Sequence, residues 1–566
     1  MSRREKRMEK PKSKIFSKLV VTALFLISVV FVLKYAYNYV RNDITDKTNL
    51  VINNNNITTS LKKDILVEDG VVYISKEDIQ NFFDPYIYYD SKYNQIITGS
   101  DSKIASMVVG ENKITNNGST VNISGSVIQK NETYYIPFSA IDNVYNTKTS
   151  YVDKTNTVVI DSLDRKYVVA DSNKNSSVKQ ERTPMSRTVD KIDAGDSVTV
   201  VTNSIKDGDD WVKVRTSTGK LGYVKQSSLS NSITIREDMT FEKQISESEN
   251  VSMIWEYFSE YGSAPARQGK LQGVNVVSPT FFTLKDEGKG EINENVGNSG
   301  ISYITWAHNN GYKVWPSISN NSYINTTSDI MRDYKLRQNL INKIVSLVVK
   351  YDLDGINVDF ENMKAEDKSL FNRFIIELTP RLKEYGKVVS VDVTAPDGSE
   401  NWSMCYDRHT IGKVADYIVY MAYDQNGDSK EGTTAGCDWT EANIKKFVGT
   451  QEEIDSKKII LAVPFYTRVW YTNENGQKKS VAVDMKRLDE IIPNGSTKTW
   501  DDSLKQYVTE YTKNGRKYKV WIEDEKSLDA KLSLISEYNL AGAAYWKKGS
   551  ETNSIWNMIS NKLNVK

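Results

Sequence analysis

From about residue 251 onward, short apolar runs alternate with helical stretches, and this rhythm constrains the fold more than any other feature of the chain. The runs are Met253-Ile254-Trp255, Gly273-Val274-Asn275-Val276-Val277, Tyr312-Lys313-Val314-Trp315, Asp354 to Glu361, Val388 to Val393, Tyr417 to Met421, Ile459 to Val463 and Gly542 to Trp546. With helices between them, such as 329–350 and 367–384, these eight strands predict a (β/α)8 barrel. Chemistry in that fold sits at strand carboxyl ends, and Glu361, Tyr423 and Trp546 each fall at or just beyond one. The interval of about 471–528, with β-like Gln506-Tyr507-Val508-Thr509 and Lys519-Val520-Trp521-Ile522, reads as a small α+β insertion walling the cleft.

The fourth run carries the chemistry. In Asp354-Gly355-Ile356-Asn357-Val358-Asp359-Phe360-Glu361 the period of two puts Asn357, Asp359 and Glu361 on one face and Ile356, Val358 and Phe360 on the other. Burying one polar group without a partner costs about 1–3 kcal/mol, so a row of three on an otherwise apolar strand marks a site that uses them. Asp354 has the opposite parity and is expected to anchor the start of the strand.

Composition limits the alternatives. The 74 basic and 73 acidic residues nearly cancel, giving a formal charge of +1, so nothing points to nucleic acid. The two cysteines, Cys405 and Cys437, exclude a disulfide scaffold, although the sequence leaves a bridge between them open. His308 and His409 lie far apart without ligand spacing, so no metal and no cofactor is expected.

The amino terminus predicts a compartment. Residues 1–14 form a basic segment assigned to the cytoplasm, and 15–40 a single transmembrane signal anchor around the run from Leu19 to Leu33. That run is roughly 15 residues, and Lys34 can snorkel beside Tyr35, Tyr37 and Tyr39 to help the helix span the bilayer. Lys34-Tyr35-Ala36-Tyr37 lacks the small-residue pattern of a cleavage site, which favours an uncleaved anchor with the remainder outside the cell. Residues 41–60, including Asn53-Asn54-Asn55-Asn56, read as a linker.

Two β-rich modules precede the barrel. Residues 61–164 form an α+β stalk of short alternating strands, and Tyr134-Tyr135-Ile136-Pro137 leading to Ala140-Ile141 resembles the domain named after the amino terminus of copper amine oxidases. The segment lacks His and Cys, so a copper role has no ligands and a spacer or wall-binding role fits better. Residues 165–231, with Asp209-Asp210-Trp211-Val212-Lys213-Val214 and Gly219-Lys220-Leu221-Gly222-Tyr223-Val224, resemble a bacterial SH3-like barrel, which implies a cell-wall peptide as ligand.

Residues 232–566 are similar to glycoside hydrolase family 18. The resemblance rests on the Asp354 to Glu361 motif, on Met421-Ala422-Tyr423-Asp424 after the sixth strand and on Trp546 after the eighth. Ser278-Pro279-Thr280-Phe281-Phe282 and Val463-Pro464-Phe465-Tyr466-Thr467-Arg468 are similar to the cell-wall and spore-cortex N-acetylglucosaminidase subgroup. The resemblance implies substrate-assisted, retaining cleavage of β-1,4 bonds in N-acetylglucosamine-containing glycan, with peptidoglycan favoured and chitin the other substrate.

The roles it implies are these. Glu361 is the general acid and Asp359 orients the substrate's acetamido group; Tyr423 donates to the acetamido oxygen; Met421 and Asp424 complete the pocket wall; Trp546 forms its floor. Where many chitinases carry a further Asp, this chain has Asn357, which cannot ionise but can hydrogen-bond Asp359. A catalytically inactive, lectin-like or scaffolding wall protein is the other class the sequence leaves open.

Overall fold

The computed structural model describes residues 21–33, 47–165, 167–201, 210–230, 234–235, 249–258, 269–428 and 430–565. The chain divides into two compact units at about residue 240.

In the second unit eight parallel strands close on themselves as the alternation predicts. They are Val251–Glu256, Val276–Pro279, the broken third strand Lys313–Val314 and Ser317–Ser319, Gly355–Asp359, Val388–Val393, Tyr417–Met421, Ile459–Pro464 and Gly542–Trp546. The eighth pairs with both the seventh and the first, which closes the ring. The third strand breaks at Trp315-Pro316, where proline has no N–H to give to a ladder.

Inward residues Val251, Met253, Trp255, Val276, Trp315, Val419, Ile460, Ala462 and Ala544 fill the barrel, while Ile356, Val358 and Phe360 pack outward under the helices. Gly355 starts the fourth strand where a Cβ would lie 2.6 Å from the Val388 carbonyl and 2.9 Å from Trp315, so only glycine lets that indole seat in the barrel.

The helix expected over 329–350 is two helices, Ile324–Arg332 and Tyr334–Lys350. Asp333 separates them, because its carboxylate accepts the Leu336 N–H at 3.0 Å and caps the second helix. Lys368–Lys383 lies within the expected 367–384.

The insertion is a five-stranded antiparallel sheet running from Tyr466–Thr472 to Arg516–Ile522. It therefore opens earlier than residue 471 and closes before 528. Asp524 caps Glu525–Glu537, which packs with the barrel helices Cys437–Val448 and Ile555–Leu563 rather than belonging to the insertion. Buried Gln506, on an insertion strand, accepts a hydrogen bond from Thr433 Oγ1 at 2.5 Å and donates to Glu523 at 2.9 Å. Glu523 is paired in turn with fully buried Lys531 at 2.8 Å. Trp470 Nε1 donates to the Gly432 carbonyl at 2.8 Å, and Arg468 N–H donates to Thr434 Oγ1 at 3.0 Å. The sheet is thus bonded to the loop that follows the sixth strand.

In the first unit the expected linker needs correction. Asn49–Ile52 is a strand running parallel to Thr157–Ser162, with Leu50 and Val51 buried. Asn53 and Asn54, at φ 48° and 68°, make the left-handed turn into Asn55–Asn56, a conformation asparagine tolerates better than most residues. The Asn53 side chain accepts from Ser162 N–H at 2.9 Å and Tyr167 O–H at 2.7 Å, so the asparagine run is structural. Residues 168–235 contribute seven antiparallel strands around Ala170, Val178, Val198, Val212, Val214 and Val224, with Thr234–Ile235 extending past the expected boundary at 231. Arg215 joins this sheet to Asp161 of the stalk through two hydrogen bonds of 2.6 and 2.7 Å.

Of the expected anchor over 15–40, residues 21–33 are a helix, and the remainder lies outside the described residues, as does the segment 1–14. Among the described residues no helix is long and apolar enough to cross a membrane.

Candidate active site

Asp359 ends the fourth strand, and Glu361 follows two residues later at the carboxyl rim of the barrel. The backbone that carries Glu361 is pinned from two sides. Buried Asn320, in the loop after the third strand, accepts from the Glu361 N–H at 3.0 Å and donates to the Glu361 carbonyl at 2.8 Å. From the loop after the fifth strand, the Tyr406 hydroxyl donates to the Phe360 carbonyl at 2.7 Å. The strand end that carries the Glu361 side chain is thus held in place before any ligand arrives.

Asp354 anchors the strand's other end, as its parity suggested. Its carboxylate accepts from Val314 N–H at 3.0 Å, contacts His308 Nε2 at 2.9 Å and pairs with Lys313 at 3.2 Å.

Asn357 does not bond Asp359. Its oxygen accepts from Trp255 Nε1 at 2.8 Å, and its Nδ2 donates to Ser390 Oγ at 3.1 Å and to Asp392 Oδ1 at 2.6 Å. Residues two apart on a strand are separated by about 6.5 Å, so the amide reaches across to neighbouring strands instead.

Met421, the buried last residue of the sixth strand, and Tyr423 beyond it face the same region. Tyr423 packs with Trp546 against the inward cluster containing Trp255 and Val419, and Trp546 meets Trp255 edge-on at 5.8 Å. Asp424 has φ 53° and is half exposed; Arg468 lies 3.6 Å from its carboxylate, and Tyr466 hydrogen-bonds it. Asp359, Glu361, Met421, Tyr423, Asp424 and Trp546 therefore lie at this end of the barrel, whereas Asn357, in the middle of the fourth strand, is fully buried and bonded within it. Asp359, Glu361 and Tyr423 have no side-chain hydrogen-bond partner among the described residues, which leaves their polar atoms available to a ligand.

Charge is unevenly shared. Burial pushes Asp359 up to about 6. Burial, reinforced by the charges of Asp359 and Asp424, pushes Glu361 up to about 8. Near neutrality Asp359 is an anion and Glu361 a neutral acid, the division of labour that acid-assisted bond cleavage needs. The expected pH profile of kcat/KM is bell-shaped, with an acid limb near pH 6 and an alkaline limb near pH 8, belonging to the carboxyl group pair as a whole. A profile flat from pH 4 to 9 would remove the pair from the rate-determining chemistry.

Three residues in this arrangement are not singled out by the sequence reading: Asn320, Tyr406 and Asp392. Asp392, on the fifth strand, is buried, and burial together with the charge of Asp359 raises it well above the usual carboxylate range. Ser390 and Asp392 alternate as the two polar positions of Val388-Val389-Ser390-Val391-Asp392-Val393, and that alternation is the signal that could have found it.

Cys405 and Cys437 are both buried and unbridged, so the disulfide left open by the sequence is not formed. Among the described residues no group of three or more His, Cys, Asp or Glu side chains is arranged to hold a metal ion.

Residues 253–551 match the family model described as glycosyl hydrolases family 18, and residues 51–160 match that of the copper amine oxidase N-terminal domain. An uncharacterized glycosylase of Bacillus subtilis (strain 168), YvbX, is 28% identical over 298 residues, covering 50% of this chain and 84% of that protein. The cortical fragment-lytic enzyme of the same organism is 24% identical over 243 residues, covering 42% of this chain and 56% of that protein. Among solved structures, the spore cortex-lytic enzyme SleL of Bacillus megaterium QM B1551 is 20% identical with a TM-score of 0.49, covering 62% of this chain and 78% of that one.

Proposed function

The chain belongs to glycoside hydrolase family 18, and from that membership we propose that it cleaves the β-1,4 bonds of N-acetylglucosamine-containing glycan, with peptidoglycan as its substrate, by substrate-assisted retaining catalysis. One observation carries the reading: a neutral acid, Glu361, and an anion, Asp359, stand on one strand beside Tyr423, none with its side chain engaged by a described residue.

Glu361 protonates the glycosidic oxygen as the bond to the anomeric carbon breaks. The substrate's acetamido oxygen attacks that carbon from the opposite face and forms a cyclic oxazolinium. The Asp359 carboxylate accepts the acetamido N–H in a charge-assisted hydrogen bond, and the Tyr423 hydroxyl donates to the acetamido oxygen. Trp546 lies under the sugar ring, with Met421 and Asp424 at the wall. Glu361, now a carboxylate, takes a proton from water as it opens the oxazolinium with retention.

The envelope-directed part of the reading is supported by the amino-terminal basic and apolar segments and by the name of the cortical fragment-lytic relative. In it, residues 15–40 anchor the protein in the cell membrane, the enzyme faces outward and the 165–231 module binds wall peptide. A variant beginning at residue 41 is expected to leave the membrane fraction; its retention there would dismiss the anchor.

The mechanism is tested by incubating the full chain with purified peptidoglycan and with the same material after chemical N-deacetylation, and measuring new reducing ends. Release is expected only from acetylated glycan. Equal release from both would refute the acetamido nucleophile, and release from chitin oligomers alone would change the substrate.

A further inference from the structure

The mechanism above leaves one buried carboxyl group unused. Asp392 is 1% exposed and lies on the fifth strand, whose register against the fourth pairs Asn357 with Ser390 and Val358 with Val391. One step further along both strands the neighbours are Asp359 and Asp392, on the same inward face. Oδ1 of Asp392 accepts the Asn357 amide at 2.6 Å, and its other oxygen has no hydrogen-bond partner among the described residues. A buried acid with one oxygen committed and the other open, beside an anion, is arranged to donate.

We propose that Asp392 is a neutral carboxylic acid that, once glycan fills the site, donates its O–H to the Asp359 carboxylate, a positioning residue on the fifth strand that orients the anion for the acetamido N–H. This rests on the glycosidase reading of the same site. Three carboxyl groups, those of Asp359, Glu361 and Asp392, share one poorly solvated region, and each further negative charge costs more than the last. The groups that act on Asp392 are Asp359 and Glu361 from the fourth strand, both disfavouring its ionisation, and the Asn357 amide, which favours it. Tyr423 lies within reach of its charge from beyond the sixth strand and is a neutral phenol. Burial outweighs the one favourable hydrogen bond. The proton therefore stays on Asp392, as in other apolar sites that keep a carboxylic acid neutral so that it can donate.

Asn357 gains a purpose from this arrangement. An aspartate there would add a fourth carboxyl group to the cluster, whereas the amide holds Asp392 through one oxygen and turns the other toward its neighbour. The acid partner of Asp359 stands on the adjacent strand instead of two residues earlier on its own.

The test uses the full chain on acetylated peptidoglycan, following kcat and KM against pH for wild type, Asp392→Asn and Asp392→Ala. The asparagine amide still offers an N–H, so Asp392→Asn is expected to cost kcat at least tenfold less than Asp392→Ala. In Asp392→Ala, KM should change less than threefold and the acid limb should move upward, because Asp359 loses a donor to its charged form. Equal losses in the two variants, or none in either, would overturn the proposal. An independent measurement needs no folded alanine variant: the infrared carbonyl band of a protonated carboxylic acid at pH 7 should weaken in Asp392→Asn relative to wild type. An unchanged band would place the proton elsewhere. If wild type itself releases no reducing ends, the glycosidase reading fails, while the infrared result still reports on Asp392.

Discussion

Glu361→Gln is expected to lower kcat by about 10³-fold, within the 10²–10⁴ that a positioned proton donor contributes, while leaving glycan affinity within a few-fold. The amide keeps the shape of the side chain and the clamp from Asn320 and Tyr406, which grip only the backbone. What it lacks is the proton for the leaving oxygen. Reducing-end release and glycan pull-down on the same preparation check both halves, and a variant that still turns over near the wild-type rate would remove Glu361 as the acid.

The same substitution should stabilise the protein at alkaline pH. Glu361 is held protonated in the fold up to about pH 8, whereas in the unfolded chain it ionises near 4.5. Its contribution to stability is present below pH 4.5 and is lost as pH rises through 8, so wild type falls behind the glutamine variant across that window. Because the carboxyl group keeps an opening to solvent, the gain is about 1 kcal/mol rather than the full value of the shift. Thermal unfolding of both proteins at pH 4 and pH 9 measures it, with a difference expected only at pH 9. Active sites trade stability for function in this way.

Asp359→Asn is the second large effect, with kcat down about 10²–10³-fold, the usual cost of losing one preorganised electrostatic contact to the transition state. The neutral amide can still accept from the acetamido N–H, but without a charge it neither orients that group as firmly nor stabilises the cation that forms. A second consequence has the opposite sign at Glu361. Removing the Asp359 charge removes one cause of the raised Glu361 value, so the alkaline limb of the remaining activity should shift down from about pH 8. If activity falls with the limb unmoved, Asp359 does not act on Glu361 through its charge.

The barrel and the inward row of Asn357, Asp359 and Glu361 were legible because strand alternation is a local property, carried by consecutive residues. Asp392 was legible on the same grounds, yet a single acid in a valine-rich run has a weaker signature than three polar residues ending on a glutamate. Asn320 and Tyr406 were not, since each meets the Glu361 segment across more than 40 residues of sequence through loops with no repeating pattern. The Asn53 turn was misread for another reason. Four asparagines in a row resemble a solvated tether by composition, and only pairing with a strand more than 100 residues away shows that Leu50 and Val51 are core.

The bonds from the insertion sheet to Thr433, Thr434 and Gly432 set a limit on how this enzyme can be recombined. A graft cut at the ends of the sheet would carry Gln506 to a new host without Thr433 or Glu523, and one cut just after Glu523 would strand that buried carboxylate without Lys531. A segment that keeps these bonds runs from the loop carrying Gly432 through the helix Glu525–Glu537, and exchanging it takes the helix Cys437–Val448 and the seventh barrel strand along with the wall.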